Sequence, residues 1–156
     1  IKKIRSKKKF TISLAESCTG GMISKYLTSI NGSSLFFNGA CISYSNKMKT
    51  SLLSVPKSTI LNYGAVSHQT ALAMTKGLKK ITDSEIILSV TGVAGPSGGT
   101  ARTPIGCVFF GIGSKINKKY TFQTIKKIFH EKTRIAIQKK STEYAIYLIL
   151  KELKKI

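Results

Sequence analysis

With 156 residues, 42% of them apolar and 21% charged, the chain has the size and balance of one globular domain over residues 1–156 rather than two. No apolar run approaches the roughly 20 residues that span a bilayer, and no apolar stretch of a secretion signal follows the basic start, Ile1 to Phe10, so membrane-spanning and secreted classes are set aside. The net charge of +20 sits mainly at the ends, with six bases and no acid in residues 1–9 and twelve bases against three acids in residues 115–156, so the middle reads as an ordinary domain.

Residues 10–15, Phe-Thr-Ile-Ser-Leu-Ala, alternate with the period of a strand. The segment Glu16-Ser17-Cys18-Thr19-Gly20-Gly21 interrupts them and leads into a helix from about Gly21 to Leu27. Asn31-Gly32-Ser33-Ser34 is turn chemistry, and a strand is expected from Leu35 to Tyr44 with a bulge at Gly39. Helices are expected over Asn46 to Leu53, ending before Pro56, and over Lys57 to Tyr63, stopped by Gly64. Ser67 suits the N-cap of a helix from His68 to about Lys80, in which Ala71, Met74, Gly77 and Leu78 form one packable stripe.

Ile86 to Val90 has the composition of a buried strand, and a glycine- and proline-rich loop from Gly92 to Pro104 separates it from a second apolar run, Ile105 to Ile112. Gly113 to Asn117 reads as a hairpin connection into a strand from Lys118 to Ile125. A closing helix from about Thr133 to Lys154 carries Ile137, Tyr144, Ala145 and Leu148 at helical spacing. Strands alternating with helices, plus one late hairpin, predict an α/β sandwich with a mixed β-sheet.

Metal catalysis needs several ligands at one point, yet His68 and His130 stand alone and the six acids form no spaced pair, so no metal is expected. Cys18, Cys41 and Cys107 lack Cys-x-x-Cys spacing and read as reduced thiols of a cytoplasmic protein. A Ser-His-Asp triad is short of material, because only Asp83 could orient a histidine and it sits in a turn. Between residues 33 and 49 the supply is better: Ser33 and Ser34 open a strand, and Tyr44, Lys47 and Lys49 follow it. A lysine deprotonates a serine only if burial or nearby positive charge draws its pKa toward neutrality. Taken alone, these residues read as turn serines, a strand-end aromatic and a solvated lysine.

Two glycine-rich turns lie at strand ends, where open α/β sheets bind ligands. Thr19-Gly20-Gly21 opens a helix, so its N–H groups could take a phosphate or a developing oxyanion. The stretch Gly92 to Thr100, with Gly95, Gly98 and Gly99, could let backbone approach a ligand closely. Neither matches a P-loop or a Gly-x-Gly-x-x-Gly fingerprint.

In chain order, Ala15-Glu16-Ser17-Cys18-Thr19-Gly20-Gly21, Gly32-Ser33-Ser34, Tyr44-Ser45-Asn46 with Lys49, Gly64-Ala65-Val66-Ser67, Thr91-Gly92-Val93-Ala94-Gly95-Pro96 with Gly98-Gly99, and Pro104-Ile105-Gly106 resemble the CinA C-terminal domain family. The resemblance runs from about Leu14 to Ile112 and continues faintly into the last helix. It implies a three-layer α/β/α sandwich in stand-alone form. It also implies a nicotinamide-nucleotide amidohydrolase that converts nicotinamide mononucleotide to nicotinate mononucleotide and ammonia without metal or other cofactor. Carried over, the family's catalytic residues fall on Ser34, Tyr44 and Lys49, with Lys49 taking the proton of Ser34 and Tyr44 relaying it or holding the lysine neutral. Substrate binding would fall on the two glycine turns and on Arg134. The family's Gly-Asp-Arg reads Lys132-Thr133-Arg134 here, Gln138 stands where the family has an arginine, and Thr103 replaces its lysine. A small-molecule nucleotide is the expected partner, a homo-oligomer is left open, and no membrane partner is expected. A basic DNA-associated binding protein using the lysine-rich ends is the alternative from another class, since so basic a chain attracts polyanions.

Overall fold

The computed structural model describes residues 1–5 and 8–155, so positions 6 and 7 of the basic segment 1–9 lie outside the described residues. Five strands, β1 (Ile12–Glu16), β2 (Phe37–Ile42), β3 (Ile86–Gly92), β4 (Cys107–Ile116) and β5 (Lys119–Ile128), form one open sheet in the order β2-β1-β3-β4-β5. β1 pairs in parallel with both β2 and β3, whereas β3–β4 and β4–β5 are antiparallel. The helices are α1 (Lys2–Arg5), α2 (Met22–Thr28), α3 (Asn46–Leu53), α4 (Lys57–Tyr63), α5 (His68–Ile81) and α6 (Arg134–Leu153). With α2 and α6 on one face and α3, α4 and α5 on the other, the mixed sheet is the middle of the expected α/β/α sandwich.

Strand alternation divides the core between the two faces. Ile12 and Leu14 of β1, Leu88 and Val90 of β3 and Phe110 of β4 share one cluster with Ile23 and Leu27 of α2 and with Ala145 and Ile149 of α6. Ala15 and Ile87, the intervening residues, pack instead with Leu53 of α3 and Met74 and Leu78 of α5. Each such Val, Leu, Ile, Phe or Met side chain, fully withdrawn from water, contributes about 1.5–3 kcal/mol of transfer free energy, which is why β1 and β3 are central. The crossing of α3 and α5 is close: a Cβ on Gly77 would lie 1.7 Å from the Leu53 carbonyl oxygen, so any larger residue would force the helices apart.

Local chemistry sets the helix ends. Ser45 Oγ accepts from Met48 N at 3.1 Å, Ser67 Oγ from Thr70 N at 3.1 Å and Thr133 Oγ1 from Ala136 N at 3.3 Å, three side-chain N-caps that start α3, α5 and α6. The late hairpin differs from expectation. β4 continues to Ile116, and the turn is Asn117-Lys118, both at positive φ. Gly113 is not a turn residue; it pairs with Ile87 on β3, and a Cβ there would lie 2.8 Å from the Phe122 ring. Leu35 lies in a short 3-10 turn, Ser33–Leu35, and β2 starts only at Phe37. The bulge falls where expected, since the register slips between Phe37 and Gly39 opposite Ile12 and Ser13. No helix among the described residues is long and apolar enough to cross a membrane.

Candidate active site

The parallel strands β1, β2 and β3 end at one edge of the sheet, and the chain turns outward there at Ser17, at Ser43 to Ser45 and at Gly92. In an open α/β sheet this carboxyl edge holds the ligand crevice, beside the point where successive connections leave in opposite directions. Here β1 is that point, with β2 on one side and β3 on the other.

Glu16 and Ser17 go to opposite faces. The Glu16 carboxylate is fully buried under the start of α2, where Oε2 accepts from Thr19 Oγ1 at 2.6 Å, from Gly21 N at 3.0 Å and from Ile23 N at 3.2 Å, while Oε1 accepts from Ser24 N at 2.8 Å. A carboxylate with this many donors, placed at a helix N-terminus, is held tightly and holds the turn in return. Gly20 and Gly21 carry φ of +58° and +98°, the left-handed values that this reversal requires. The consequence corrects the expectation for Thr19-Gly20-Gly21. Gly20 and Gly21 do not present free donors to a phosphate, because Glu16 takes Gly21 N and the Thr19 hydroxyl, and Gly20 N donates to Ser17 O, so that of the three backbone N–H groups Thr19 N–H alone has no acceptor among the described residues.

Ser17 faces the other layer and meets Lys49 of α3. Lys49 is only 2% exposed, and its Nζ lies 2.9 Å from Ser17 Oγ, 2.9 Å from Ser43 O and 3.1 Å from Tyr44 O. As an ammonium it donates to all three. As a neutral amine it keeps two N–H groups for the two carbonyls and turns its lone pair to the Ser17 hydroxyl. Burial pulls its pKa below the ordinary lysine value, a smaller opposing influence coming from the Cys18 thiol, so the neutral form is easier to reach than in a solvated lysine. Burial likewise pushes the Cys18 thiol up to about 12, which keeps that neighbouring sulfur protonated.

A cleft of about 210 Å³ opens over this pair, lined among others by Ser17, Cys18, Tyr44, Lys49, Thr91 and Arg134. Tyr44 is 59% exposed at its mouth, and its hydroxyl accepts from Arg134 Nη2 at 2.7 Å, while Arg134 Nη1 donates to Gly95 O at 2.7 Å. A larger groove of about 980 Å³ lies between α2 and α6, lined by Thr19, Gly20, Gly21, Tyr26, Gln138 and Ile146 among others. It contains neither Ser17 nor Lys49, both of which line the smaller hollow.

Of the expected catalytic residues, the structure brings Tyr44 and Lys49 to one site and leaves Ser34 out of it. Ser34 is exposed in the 3-10 turn before β2, whereas Lys49 follows the opposite end of that strand. Six residues of strand separate them by roughly 20 Å. Ser17, not Ser34, is the serine whose hydroxyl Lys49 contacts. The sequence carried only part of the signal: Ser17 follows an apolar strand at its carboxyl end, whereas Ser34 precedes one, but the partner lysine is brought to Ser17 only by the fold. The Tyr44 hydroxyl faces Arg134 rather than Lys49, and it is the Tyr44 carbonyl that contacts the amine.

Arg134 and Gly92 line the cleft, and Gly95 contributes its carbonyl to Arg134. Gly98 and Gly99 are exposed and do not line it. A Cβ on Gly99 would meet Ile105 at 3.0 Å, and one on Gly92 would meet Cys107 O and Val108 at 2.8 Å, so both glycines serve chain packing. Among the described residues, no three His, Cys, Asp or Glu side chains converge as a metal site.

The sequence profile of the CinA C-terminal domain matches residues 1–153. A CinA-like protein of Pseudothermotoga lettingae is 40% identical over 149 residues, covering 96% of this chain and 36% of its own. A CinA-like protein of Petrotoga mobilis is 46% identical over 140 residues, covering 90% of this chain and 34% of its own. The chain thus spans about a third of the length of these curated relatives. Among solved structures, the competence/damage inducible protein CihA from Agrobacterium tumefaciens superposes with a TM-score of 0.85 at 33% identity, over 94% of this chain and 86% of that one. The competence damage-inducible protein A of Klebsiella pneumoniae gives a TM-score of 0.89 at 25% identity, over 98% and 92%.

Proposed function

The chain belongs to the CinA C-terminal domain family, and from that premise we propose that it is a serine amidohydrolase, with Ser17 as nucleophile and Lys49 as base, that deamidates nicotinamide mononucleotide to nicotinate mononucleotide and ammonia. The observation that carries this reading is the buried Lys49 amine 2.9 Å from Ser17 Oγ, with its two other contacts taken by fixed backbone carbonyls. Neutral Lys49 accepts the Ser17 proton as Oγ bonds to the carboxamide carbon. The resulting ammonium then protonates the departing nitrogen, the C–N bond breaks, and ammonia leaves an acyl ester on Ser17. Water attacks that ester, giving one proton to Lys49, which passes it to Ser17 Oγ as the C–O bond breaks, and the carboxylic acid released loses its remaining proton to solvent.

The tetrahedral intermediates carry an oxyanion that needs donors. The N–H groups of Cys18 and Thr19 follow the nucleophile directly and have no acceptor in another residue among those described, so they are assigned this role. Arg134, exposed at the mouth and steadied by Tyr44 and Gly95, is assigned the phosphate of the nucleotide. The test is to supply nicotinamide mononucleotide and measure ammonia and nicotinate mononucleotide together. Stoichiometric release of both supports the reading, and release of neither by the folded protein overturns it.

A further inference from the structure

Two residues one turn apart on α6 reach the site from the same helix face: Arg134 at the mouth, and Gln138, whose Nε2 donates to Cys18 O at 2.8 Å. Gln138 is half-buried, and it is the side chain outside the turn that binds this carbonyl. Cys18 lines the catalytic cleft, whereas Thr19 and Gln138 line the groove behind it, so the peptide from Cys18 to Thr19 passes between the two hollows. In a trans peptide the C=O and the following N–H point in opposite directions. Drawing Cys18 O toward Gln138 on the groove side therefore aims Thr19 N–H to the cleft side.

We infer that Gln138 is a positioning residue that fixes this peptide plane, so that Thr19 N–H is pre-aimed at the oxyanion formed on attack by Ser17. The inference rests on the nucleophile assignment above and adds the element that orients the oxyanion donor. Glu16 holds the Thr19 side chain and the downstream N–H groups from the α2 side, and Gln138 holds the Cys18 carbonyl from α6, so the turn is gripped at both ends. Without the second grip the peptide can rotate, and the donor must be re-aimed at the moment of reaction, when preorganisation is worth most.

The test uses a fluorophosphonate, whose phosphoryl oxygen occupies the oxyanion position. Ser17 Oγ bonds to phosphorus, the P–F bond breaks, fluoride leaves, and the hydroxyl proton passes to Lys49. Labelling of Ser17 is followed by mass spectrometry in the parent chain, in Gln138→Met, which keeps the length without a donor, and in Gln138→Arg, which restores one. Deamidation kinetics are measured on the same three proteins. The expected result is labelling and kcat lowered about ten- to hundredfold in Gln138→Met, with KM within about twofold, unchanged melting, and substantial recovery in Gln138→Arg. Labelling and kcat within about twofold of the parent in folded Gln138→Met overturn the positioning role alone, as does a loss confined to KM. A parent chain that shows no labelling of Ser17 at all overturns the nucleophile assignment, and this inference with it.

Discussion

Arg134 Nη2 donates to the Tyr44 hydroxyl across 2.7 Å, joining the start of α6 to the segment between β2 and α3, ninety positions apart in the chain. This contact separates two duties of Tyr44. Its backbone oxygen helps hold Lys49, whereas its side chain steadies the arginine. Tyr44→Phe removes only the second, so KM for the nucleotide is expected to rise about three- to tenfold while kcat stays within about twofold. Arg134→Gln removes the charge itself and raises KM further. Steady-state kinetics on both variants check this, and a collapse of kcat in Tyr44→Phe would show that the hydroxyl takes part in proton transfer.

The pH dependence follows from the lowered Lys49 pKa. Below that pKa the amine is an ammonium and cannot accept the serine proton; above it the base is ready, so kcat/KM should climb with pH through an inflection below 10.5, the ordinary lysine value. Lys49→Met keeps the length and removes the amine, with an expected loss of about a hundred- to ten-thousandfold and no remaining inflection. A pH–rate profile unchanged by the substitution would remove Lys49 from the mechanism.

Cys18 lies beside Ser17 but is expected to be silent. Its thiol, pushed up to about 12 by burial, stays protonated at pH 8, so alkylation by iodoacetamide should be much slower for Cys18 than for half-buried Cys41 in the folded chain. Peptide mapping after timed alkylation reads this directly.

Glu16 is the structural counterweight of the site. Glu16→Gln nearly preserves volume but replaces an acceptor oxygen with an NH₂ group facing N–H donors, and the expected cost is about 2–4 kcal/mol. For a chain of this size that lowers the melting temperature by roughly 5–15 °C. The exposed pair Lys140–Glu143 gives the control, since Glu143→Gln should change stability by less than about 1 kcal/mol. Thermal unfolding of the two variants compares them.

The features legible in the sequence are those set by near neighbours. The ends of α3 and α4 were readable because Pro56 and Gly64 carry their stop chemistry locally, and Ser67 marked the start of α5 in the same way. The mixed sheet was readable from apolar runs alternating with helices. The nucleophile was not. Ser17 meets Lys49 across 32 positions only because β1 and β2 run parallel and both chain ends emerge at one edge. Glu16 was equally opaque, since its donors lie three to eight residues ahead in a turn whose left-handed glycines look, in sequence, like an open phosphate loop. Gly113 misled in the same way: a glycine required by packing under Phe122 has the same letter as one required by a turn.

The central claim, that Ser17 and not Ser34 is the nucleophile served by Lys49, is tested most directly by ammonia release from nicotinamide mononucleotide in Ser17→Ala and Ser34→Ala side by side. The expected result is a loss of at least about a thousandfold in kcat for Ser17→Ala, with correct folding, and a kcat within about twofold of the parent for Ser34→Ala. Undiminished turnover in Ser17→Ala, or its loss in a folded Ser34→Ala protein, would contradict the account.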